Sequence, residues 1–271
     1  MDIRLLSFAH KSFSEFLCAE RLKEALEDWT RPGIKRQEFY ISAEKLHEEI
    51  YDLLGQPILT QEIVAYLREL LFNSPDFRPL ALFKRLNDFY DRWCEGEFID
   101  ADPPPTLPQK TMQQLKPQGI TTGQRQVDVY TGLNVMILCL ELHRYAQGQE
   151  ELREAIVFYP SGQPNEGEEY TDRLLKMIHY SDAIALFTFT QTTGAFLARA
   201  NLARAFLARA NLARADLAYA GLWGADLTNA DLTEANLEDI TWDEHTIWDG
   251  VVGLETARNV PEQLKRQLGL E

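Results

Sequence analysis

The sequence lacks an excess of positive charge. Its 271 residues include 27 Lys and Arg against 42 Asp and Glu, which gives a formal net charge of -15. No segment has the basic excess with which proteins neutralise the phosphates of a nucleic acid. We therefore expect no direct nucleic-acid ligand.

Cysteine is also scarce. The chain has three, Cys18, Cys94 and Cys139, which are odd in number and far apart. They fit neither a disulfide framework nor the spacing of zinc ligands. We expect reduced, buried thiols in a cytoplasmic protein.

Long hydrophobic runs are missing too. The longest apolar stretch, LNVMILCLEL, is interrupted well short of the length that spans a bilayer, and the N-terminus has no signal-peptide core. The sequence therefore predicts a soluble protein without a membrane partner.

Sequence motifs of known enzymes do not occur. The chain has no GxxxxGK[ST], GxGxxG or GxSxG, and HEEIY lacks the second His of a zinc protease. A Ser-His-Asp set assembled in space stays open at this point. We predict no catalytic residue, no cofactor and no metal site, hence a protein that is not an enzyme. The scattered histidines are His10, His47, His143, His179 and His245.

What the sequence does contain is a five-residue repeat from Ala195 to Asp239. It begins AFLARANLARAFLARANLARADLAY and continues AGLWGADLTNADLTEANLED. On an α-helix, a five-residue step turns each Leu by about 140°, which leaves no apolar face. We therefore predict that this stretch is not helical, although Ala, Leu and Arg are good helix formers.

The positions of Ala and Leu within each unit predict a solenoid instead. The two residues are two apart, so both point to the same side of an extended segment. From Leu to the next Ala is three residues, so the chain must turn a corner there. Ala and Leu would then fill the interior of coils stacked about 4.8 Å apart.

These units resemble the pentapeptide repeat family, whose motif is A(D/N)LXX. The resemblance implies a right-handed quadrilateral β-helix, with four pentapeptides and twenty residues in each coil. The nine matching units make little more than two coils, whose open ends need caps. They begin at Ala195, Ala200, Ala205, Ala210, Ala215, Ala220, Ala225, Ala230 and Ala235.

Stacking at a twenty-residue spacing predicts which residues are neighbours in successive coils. The predicted columns are Leu197 with Leu217 and Leu237, Leu202 with Leu222 and Trp242, and Arg214 with Glu234.

Four arginines would form a belt around the first coil, one on each side. The belt is either a docking surface for an anionic or acidic partner or a set of solvated side chains, of which Arg214 pairs with Glu234 for less than about 1 kcal/mol. Two Phe residues occupy outward positions where the family has Asp or Asn, so we expect at least one to be covered. The candidate partner surface is Phe196, Phe206, Arg199, Arg204 and Arg209.

The remainder of the chain has helical periodicity. A Ser12 to Glu15 capping box predicts a first helix that reaches Trp29, and Ser42 and Thr60 are candidate caps of the next two. The Pro-rich stretch near 100–109 predicts a stiff connector, with a short ligand for an aromatic groove as the alternative. The other predicted helices are 42–55, 60–72, 79–93, 127–145, 150–158, 171–189 and 261–268.

The sequence thus predicts an α+β protein with separate domains. These are an all-helical domain over 1–190, a pentapeptide-repeat β-helix over 195–244, and a cap with a short helix over 245–271. The predicted caps of the first coil are Leu175, Ile178, Ile184 and Phe187, and those of the last are Trp242, Trp248 and the final helix.

The opening stretch LSFAHKSFSEFLCAERL supports a second resemblance. It is similar to the FxHxSFxEFxxAxxL signature of NACHT-type signal-transduction ATPases, and the helical region after it resembles one found in bacterial proteins that end in pentapeptide repeats. In that family the motif's His, which falls on His10, contacts an adenine nucleotide. The chain has no phosphate-binding loop, so it is either the remnant of a larger ATPase or a stand-alone relative, with His10 an ordinary histidine.

Three hypotheses of function follow. The first is a non-enzymatic interaction or scaffold protein whose protein partner and oligomeric state the sequence leaves open. The alternative is a nucleotide-linked regulatory switch that acts with a separate ATPase. A gyrase-binding DNA mimic is the third, and two coils that carry four Arg are short and mixed in charge for it.

Overall fold

A computed structural model describes residues 3–34, 38–163 and 170–270, with side chains from residue 11 onward. The chain forms two compact units, Met1–Val135 and Met136–Glu271. Their boundary lies within one long helix, whereas the sequence predicted the change of domain between 190 and 195.

The described part of the first unit is helical. Ser42 and Thr60 cap α2 and α3 as predicted, since each hydroxyl accepts a hydrogen bond from the backbone N–H three residues later, at 3.3 and 3.2 Å. The helices are α1 (Ile3–Thr30), α2 (Ala43–Leu54), α3 (Gln61–Phe72), α4 (Pro79–Cys94), α5 (Leu107–Leu115) and α6 (Gln124–Gln147), whose second half belongs to the second unit.

Two predictions for this unit are wrong in detail. Helix α1 starts at Ile3, so Ser12 lies inside the helix and does not cap it. The predicted connector near 100–109 contains the start of α5, where Thr106 forms a capping box with Gln109. Pro108 stands in the first turn of α5, where its missing N–H has no helical partner to lose.

A buried carboxylate joins three helices of the first unit. Asp128 of α6 is 1% exposed and accepts hydrogen bonds from the Tyr51 hydroxyl at 2.5 Å and the Trp93 indole N–H at 3.1 Å. Gly132, one turn later, lets α6 approach Trp93, because a Cβ there would lie closer than 3.0 Å to the indole ring. Pairing of this kind offsets the cost of burying a charge.

The second unit begins with the end of α6 and continues through α7 (Arg173–Asp182) and α8 (Thr188–Thr193). The helix predicted over 150–158 is wrong, because residues 150–155 form turns. The helix predicted over 171–189 is interrupted, because Phe187 has a φ of 68° and starts a new short helix. A final helix, α9 (Glu262–Leu268), agrees with the prediction for 261–268.

The repeat region winds into stacked coils and contains no helix between residues 197 and 261. Parallel bridges of single residues link successive coils, and no longer strand occurs in the described ranges of the chain. The bridges form four ladders: Asn201–Gly221–Thr241, Phe206–Asp226–Ile247, Asn211–Asp231–Val252 and Asp216–Asn236–Arg258.

The corners predicted between Leu and the next Ala are present. In the first coil the Leu197 carbonyl accepts a hydrogen bond from the Ala200 N–H at 2.9 Å, and the corner residue Arg199 has a φ of 62°. A positive φ at the third position is the mark of a type II turn. The other corner residues with positive φ are Arg204, Arg209, Arg214, Tyr219, Gly224, Asn229, Glu234 and Asp239.

The solenoid is longer than the repeat motif indicates. From residue 200 through 237, the motif's Ala and Leu side chains are at most 1% exposed. The ladders continue to Ile247, Val252 and Arg258, so residues assigned by sequence to a cap at 245–271 complete a third coil. The bridge partners there are 21 or 22 residues apart instead of 20, which hides the coil from a five-residue pattern.

Segments outside the repeat close the first coil. The Thr171 carbonyl accepts from the Phe206 N–H at 2.7 Å, and the Gly194 carbonyl accepts from the Asp216 N–H at 2.9 Å. Arg144 of α6 donates to the carbonyls of Phe196 and Ala198, both at 2.9 Å. These bonds satisfy backbone groups that the coil below would otherwise have bound.

The side chains predicted to cap the two ends of the solenoid differ in their exposure. Leu175 and Ile178 are buried, but Phe187 is 42% exposed and therefore does not act as a cap. At the other end Trp248 is 6% exposed, and Trp242 packs edge-on against it with ring centroids 6.5 Å apart.

Candidate interaction groove

A groove of about 920 Å³ lies along one edge of the solenoid in the second unit. One wall consists of side chains from all three coils, and the other comes from the segments on either side of residues 164–169. The lining residues are Tyr159, Gln163, Tyr170, Ala203, Arg204, Trp223, Gly224, Asp243, Glu244, His245 and Ile247.

The solenoid wall contains the one repeat unit that differs from the other eight at all three outward positions. In this unit, AGLWG, the second position is Gly221, where the other units have Asn, Asp or Phe. The fourth is Trp223, where they have Ala, Thr or Glu, and the fifth is Gly224, where every other unit has a residue with a side chain. A Cβ on Gly221 would lie closer than 3.0 Å to the Trp223 ring. The indole thus packs over Gly221, and it remains 46% exposed.

Gly224 provides space at the next corner. Its φ is 63°, and a Cβ there would lie 3.5 Å from Cγ of Arg204 and 3.9 Å from Cβ of His245. The Arg204 side chain therefore passes close to a corner that has no side chain. Arg204 is exposed, and no carboxylate of the described residues forms an ion pair with it.

Asp243 orders the part of the groove that belongs to the third coil. Its carboxylate accepts hydrogen bonds from the Gly224 N–H at 2.9 Å, the His245 N–H at 3.1 Å and the Thr246 hydroxyl at 3.0 Å. The bond from Gly224 is the largest cause that holds the pKa of Asp243 below its ordinary value. Glu244 differs, because its side chain is 88% exposed and forms an ion pair with only His245 among the described residues, at 3.8 Å.

The opposite wall is attached to the first coil. Thr171 donates its N–H to the Arg204 carbonyl at 2.9 Å, and its own carbonyl accepts from Ser161 at 2.6 Å. The neighbouring Tyr170 places its ring 6.1 Å from that of Phe206. The segment that forms the opposite wall is therefore hydrogen-bonded to the first coil, which also contributes to the solenoid wall.

Charge is unevenly distributed along the solenoid. Residues 195–214 carry four Arg and no acid, 215–234 carry four acids and no base, and 235–258 carry six acids and one Arg. Within the groove the first coil contributes the basic Arg204, the second the uncharged Trp223, and the third the acidic Asp243 and Glu244. The arrangement suits a ligand with charges of both signs around an apolar centre.

The structure separates the residues of the sequence-predicted surface. Only Arg204 lines the groove, while Arg209 is exposed at another corner. Arg199 lies over the Tyr219 ring, 5.3 Å from its centroid. Phe196 is only 6% exposed, which corrects its assignment to a partner surface.

Phe206 is half-buried beside Tyr170, so it too is largely covered. The burial of Phe196 agrees with the expectation that at least one of the two Phe residues is covered. Sequence reasoning missed Trp223, Tyr159 and Tyr170, although the unusual unit AGLWG was a signal for the first of them.

The described ranges contain no group of three or more His, Cys, Asp or Glu side chains that could hold a metal ion. Among the same residues, no helix has the length and apolar character to cross a bilayer. The side chain of His10, the candidate nucleotide contact, lies outside the described residues.

Comparison with protein-family models gives a match in the repeat region. The family model described as pentapeptide repeats (8 copies) matches residues 210–240. No curated protein matches the chain. The repeats are thus those of pentapeptide proteins, and the match lies within the second unit.

Proposed function

We propose that the chain is a non-enzymatic interaction or scaffold protein of the cytoplasm, whose solenoid is a rigid platform and whose groove binds a partner protein. For the solenoid we also propose the right-handed quadrilateral β-helix that the pentapeptide motif implies. The four bridge ladders and the match at residues 210–240 support it. The relationship of the helical region to NACHT-type ATPases stays a prediction.

Trp223 is the observation that carries this proposal. Nearly half of its surface faces water, although burial of a Trp would stabilise the fold by several kcal/mol. Trp and Arg are the residues that most often dominate the energy of a protein interface. A Trp that packs over Gly221 beside Arg204 therefore favours recognition as the role of this edge.

The backbone around Trp223 is held on both sides. Its carbonyl accepts a hydrogen bond from the Arg204 N–H of the first coil at 2.8 Å, and the Gly224 N–H donates to Asp243 of the third. A surface already ordered in this way loses little conformational freedom when a partner binds. Rigidity of this kind is what a scaffold requires.

The proposal is tested by capture of partners with the full chain and two matched variants. Trp223→Ala removes the aromatic surface of the groove. Arg209→Glu changes an exposed corner residue outside it and serves as the control. Circular dichroism melting curves of both variants verify that the fold is retained.

We expect a reproducible partner that is captured by the wild type and by Arg209→Glu, and lost with Trp223→Ala. Truncation of an interface Trp commonly costs 2 kcal/mol or more, about 30-fold in affinity. Equal capture by all three proteins would contradict the groove as the site. The absence of any reproducible partner would contradict the interaction function itself.

A further inference from the structure

The loop between α7 and α8 carries two large apolar side chains that the fold leaves in water. Leu186 is 75% exposed and Phe187 is 42% exposed, and the nearby Ala183 and Ala185 are exposed as well. We infer that this apolar tip, residues 183–187, is a second interaction surface, which enters an apolar pocket of a partner protein. The tip shares no residue with the lining of the groove, so this inference goes beyond the proposed function.

Hydrogen bonds hold the apolar tip in one conformation. The Asp182 carboxylate accepts a hydrogen bond from the Phe189 N–H at 3.0 Å, which closes the base of the loop. The Ala185 carbonyl accepts from both the N–H and the hydroxyl of Thr188, at 3.1 and 2.7 Å. A surface ordered before binding loses little conformational entropy when a partner docks.

The backbone of Phe187 gives a second reason to look for a role outside the fold. Its φ of 68° is left-handed, a conformation that Gly and Asn adopt at low cost and Phe does not. Burial does not explain the choice of Phe, because nearly half of the side chain faces water, whereas Phe189 two residues later is fully buried. A residue that is costly for the backbone and only partly buried favours a role in recognition.

The charge pattern describes the pocket that fits the apolar tip. Residues 183–198 contain no charged side chain. A charged group in the partner's pocket would lose its water without gaining a counterion, so the pocket should be apolar. Gln191 of α8 is an exposed, uncharged polar residue, which suits the polar rim that surrounds the centre of a protein interface.

A second copy of the chain fits the apolar tip less well than a different protein. In a two-fold dimer the same patch is used by both subunits, so tip must meet tip. The side chains of Leu186 and Phe187 expose roughly 200 Å² together, well below the about 800 Å² that each partner buries in a stable interface. A concave pocket can instead enclose the tip on several sides.

A lipid surface also fits less well. Apolar segments that bind membranes usually combine their apolar side chains with Lys or Arg, which are attracted to anionic lipids. The uncharged stretch 183–198 offers no such cation, and the chain as a whole has a net charge of -15.

The test places a photoreactive amino acid at position 186 of the full chain in living cells. Position 252 is the matched control, because Val252 is an apolar residue of the same unit that is 53% exposed. Mass spectrometry identifies the crosslinked protein and the residues to which the crosslink is attached. The identified protein is then purified, and its affinity for the wild type, Leu186→Ser, Phe187→Asn and Val252→Ser is measured by calorimetry.

We expect a discrete crosslinked protein from position 186, joined through apolar residues, and none from position 252. Leu186→Ser and Phe187→Asn should each weaken its binding about tenfold or more, as truncation of an interface anchor commonly does, and Val252→Ser should not. Leu186→Ser should melt within about 2 °C of the wild type, because so exposed a side chain contributes little to stability. Loss of binding without loss of stability is what a purely structural role would not produce.

Several results would overturn the inference. One is the same crosslinked protein from both positions, or equal affinity of the wild type and Leu186→Ser. Another is a dimer in sedimentation that Leu186→Ser abolishes, since the apolar tip would then bind a second copy. Flotation of the wild type with phosphatidylcholine vesicles, lost in Leu186→Ser, would identify a lipid surface as the occupant instead.

Discussion

The packing of Trp223 over Gly221 makes a prediction that a double-mutant cycle can test. Gly221→Ala places a methyl group in the space of the indole ring, since a Cβ there would come closer than 3.0 Å to it. Gly221 does not have a positive φ, so Ala is compatible with its backbone. The ring must therefore leave the surface of the solenoid in this variant.

The expected magnitude follows from the area of the ring. A fully buried Trp removes up to about 250 Å² from water, and Trp223 is roughly half covered, so its contact amounts to about 100 Å². At about 25 cal/mol per Å², the loss of this contact costs up to about 2.5 kcal/mol. Replacement of Gly by Ala itself stabilises the folded state by about 0.4–1 kcal/mol, because it reduces the conformational entropy of the unfolded chain.

Gly221→Ala should therefore lower the free energy of unfolding by about 1–2 kcal/mol in the wild type. In a Trp223→Ala background the same change should raise it by about 0.4–1 kcal/mol, because the ring is absent. Urea denaturation of the four proteins measures both values, and acrylamide quenching should show a more accessible Trp223 in the single variant. The same effect of Gly221→Ala in both backgrounds would refute the packing.

Three further predictions concern other positions. Gly253→Ala should destabilise the protein by several kcal/mol, because its Cβ would come closer than 3.0 Å to the backbone nitrogen of Thr233. Gly224 also has a positive φ, but a Cβ there makes only ordinary contacts, so Gly224→Ala should cost about 1–2 kcal/mol. Equal losses of stability of the two variants in thermal denaturation would contradict this. Burial lowers the pKa of His47, so the folded state binds a proton at this residue less readily than the unfolded state does. The free energy of unfolding should therefore decrease as the pH is lowered below about 6.5, and this decrease should be smaller in His47→Gln. Parallel pH profiles of the two proteins would refute this. Arg144→Met should destabilise the protein by about 3 kcal/mol in urea unfolding, because it removes one partner of the buried Glu141 carboxylate and two hydrogen bonds to the first coil. A loss below about 1 kcal/mol would be inconsistent with that role.

The solenoid could be predicted from sequence because its determinants are local. The two-residue step from Ala to Leu fixes which side faces inward, and the next three residues fix the corner. The stacking at twenty residues was specific enough to predict a pair, and Arg214 donates to Glu234 at 2.9 Å as expected. That pair is exposed and contributes little to stability.

The third coil could not be predicted in the same way. Its inward positions hold Trp248 and Leu254, and its steps of 21 and 22 residues break the five-residue register. Backbone hydrogen bonding tolerates such insertions at corners, where the extra residue can bulge without disturbing the ladder. A motif based on fixed spacing therefore ends before the fold does.

Helix prediction succeeded where a side chain caps the helix and failed where tertiary structure decides. Ser42 and Thr60 mark the starts of α2 and α3 through hydrogen bonds within four residues. No local pattern shows that Phe187 adopts a left-handed conformation and divides the last predicted helix. Such a conformation is costly for Phe, so the surrounding structure must impose it.

The groove could be predicted only in part. The unit AGLWG departs from its neighbours in the sequence itself, which marks Trp223 as unusual. The opposite wall, with Tyr159 and Tyr170, depends on a segment that reaches the first coil through Thr171. Contacts of this kind, more than 30 residues apart in the chain, have no signature in a single sequence.

Photo-crosslinking in living cells tests the central claim, that this edge of the solenoid receives the partner. A photoreactive amino acid replaces Gln163, an exposed residue of the groove wall, in one protein and Arg209, an exposed corner outside the groove, in the other. The account predicts a discrete crosslinked protein from position 163, absent when Trp223→Ala is added, and none from position 209. The same crosslink from both positions, or one from position 209 alone, would contradict it.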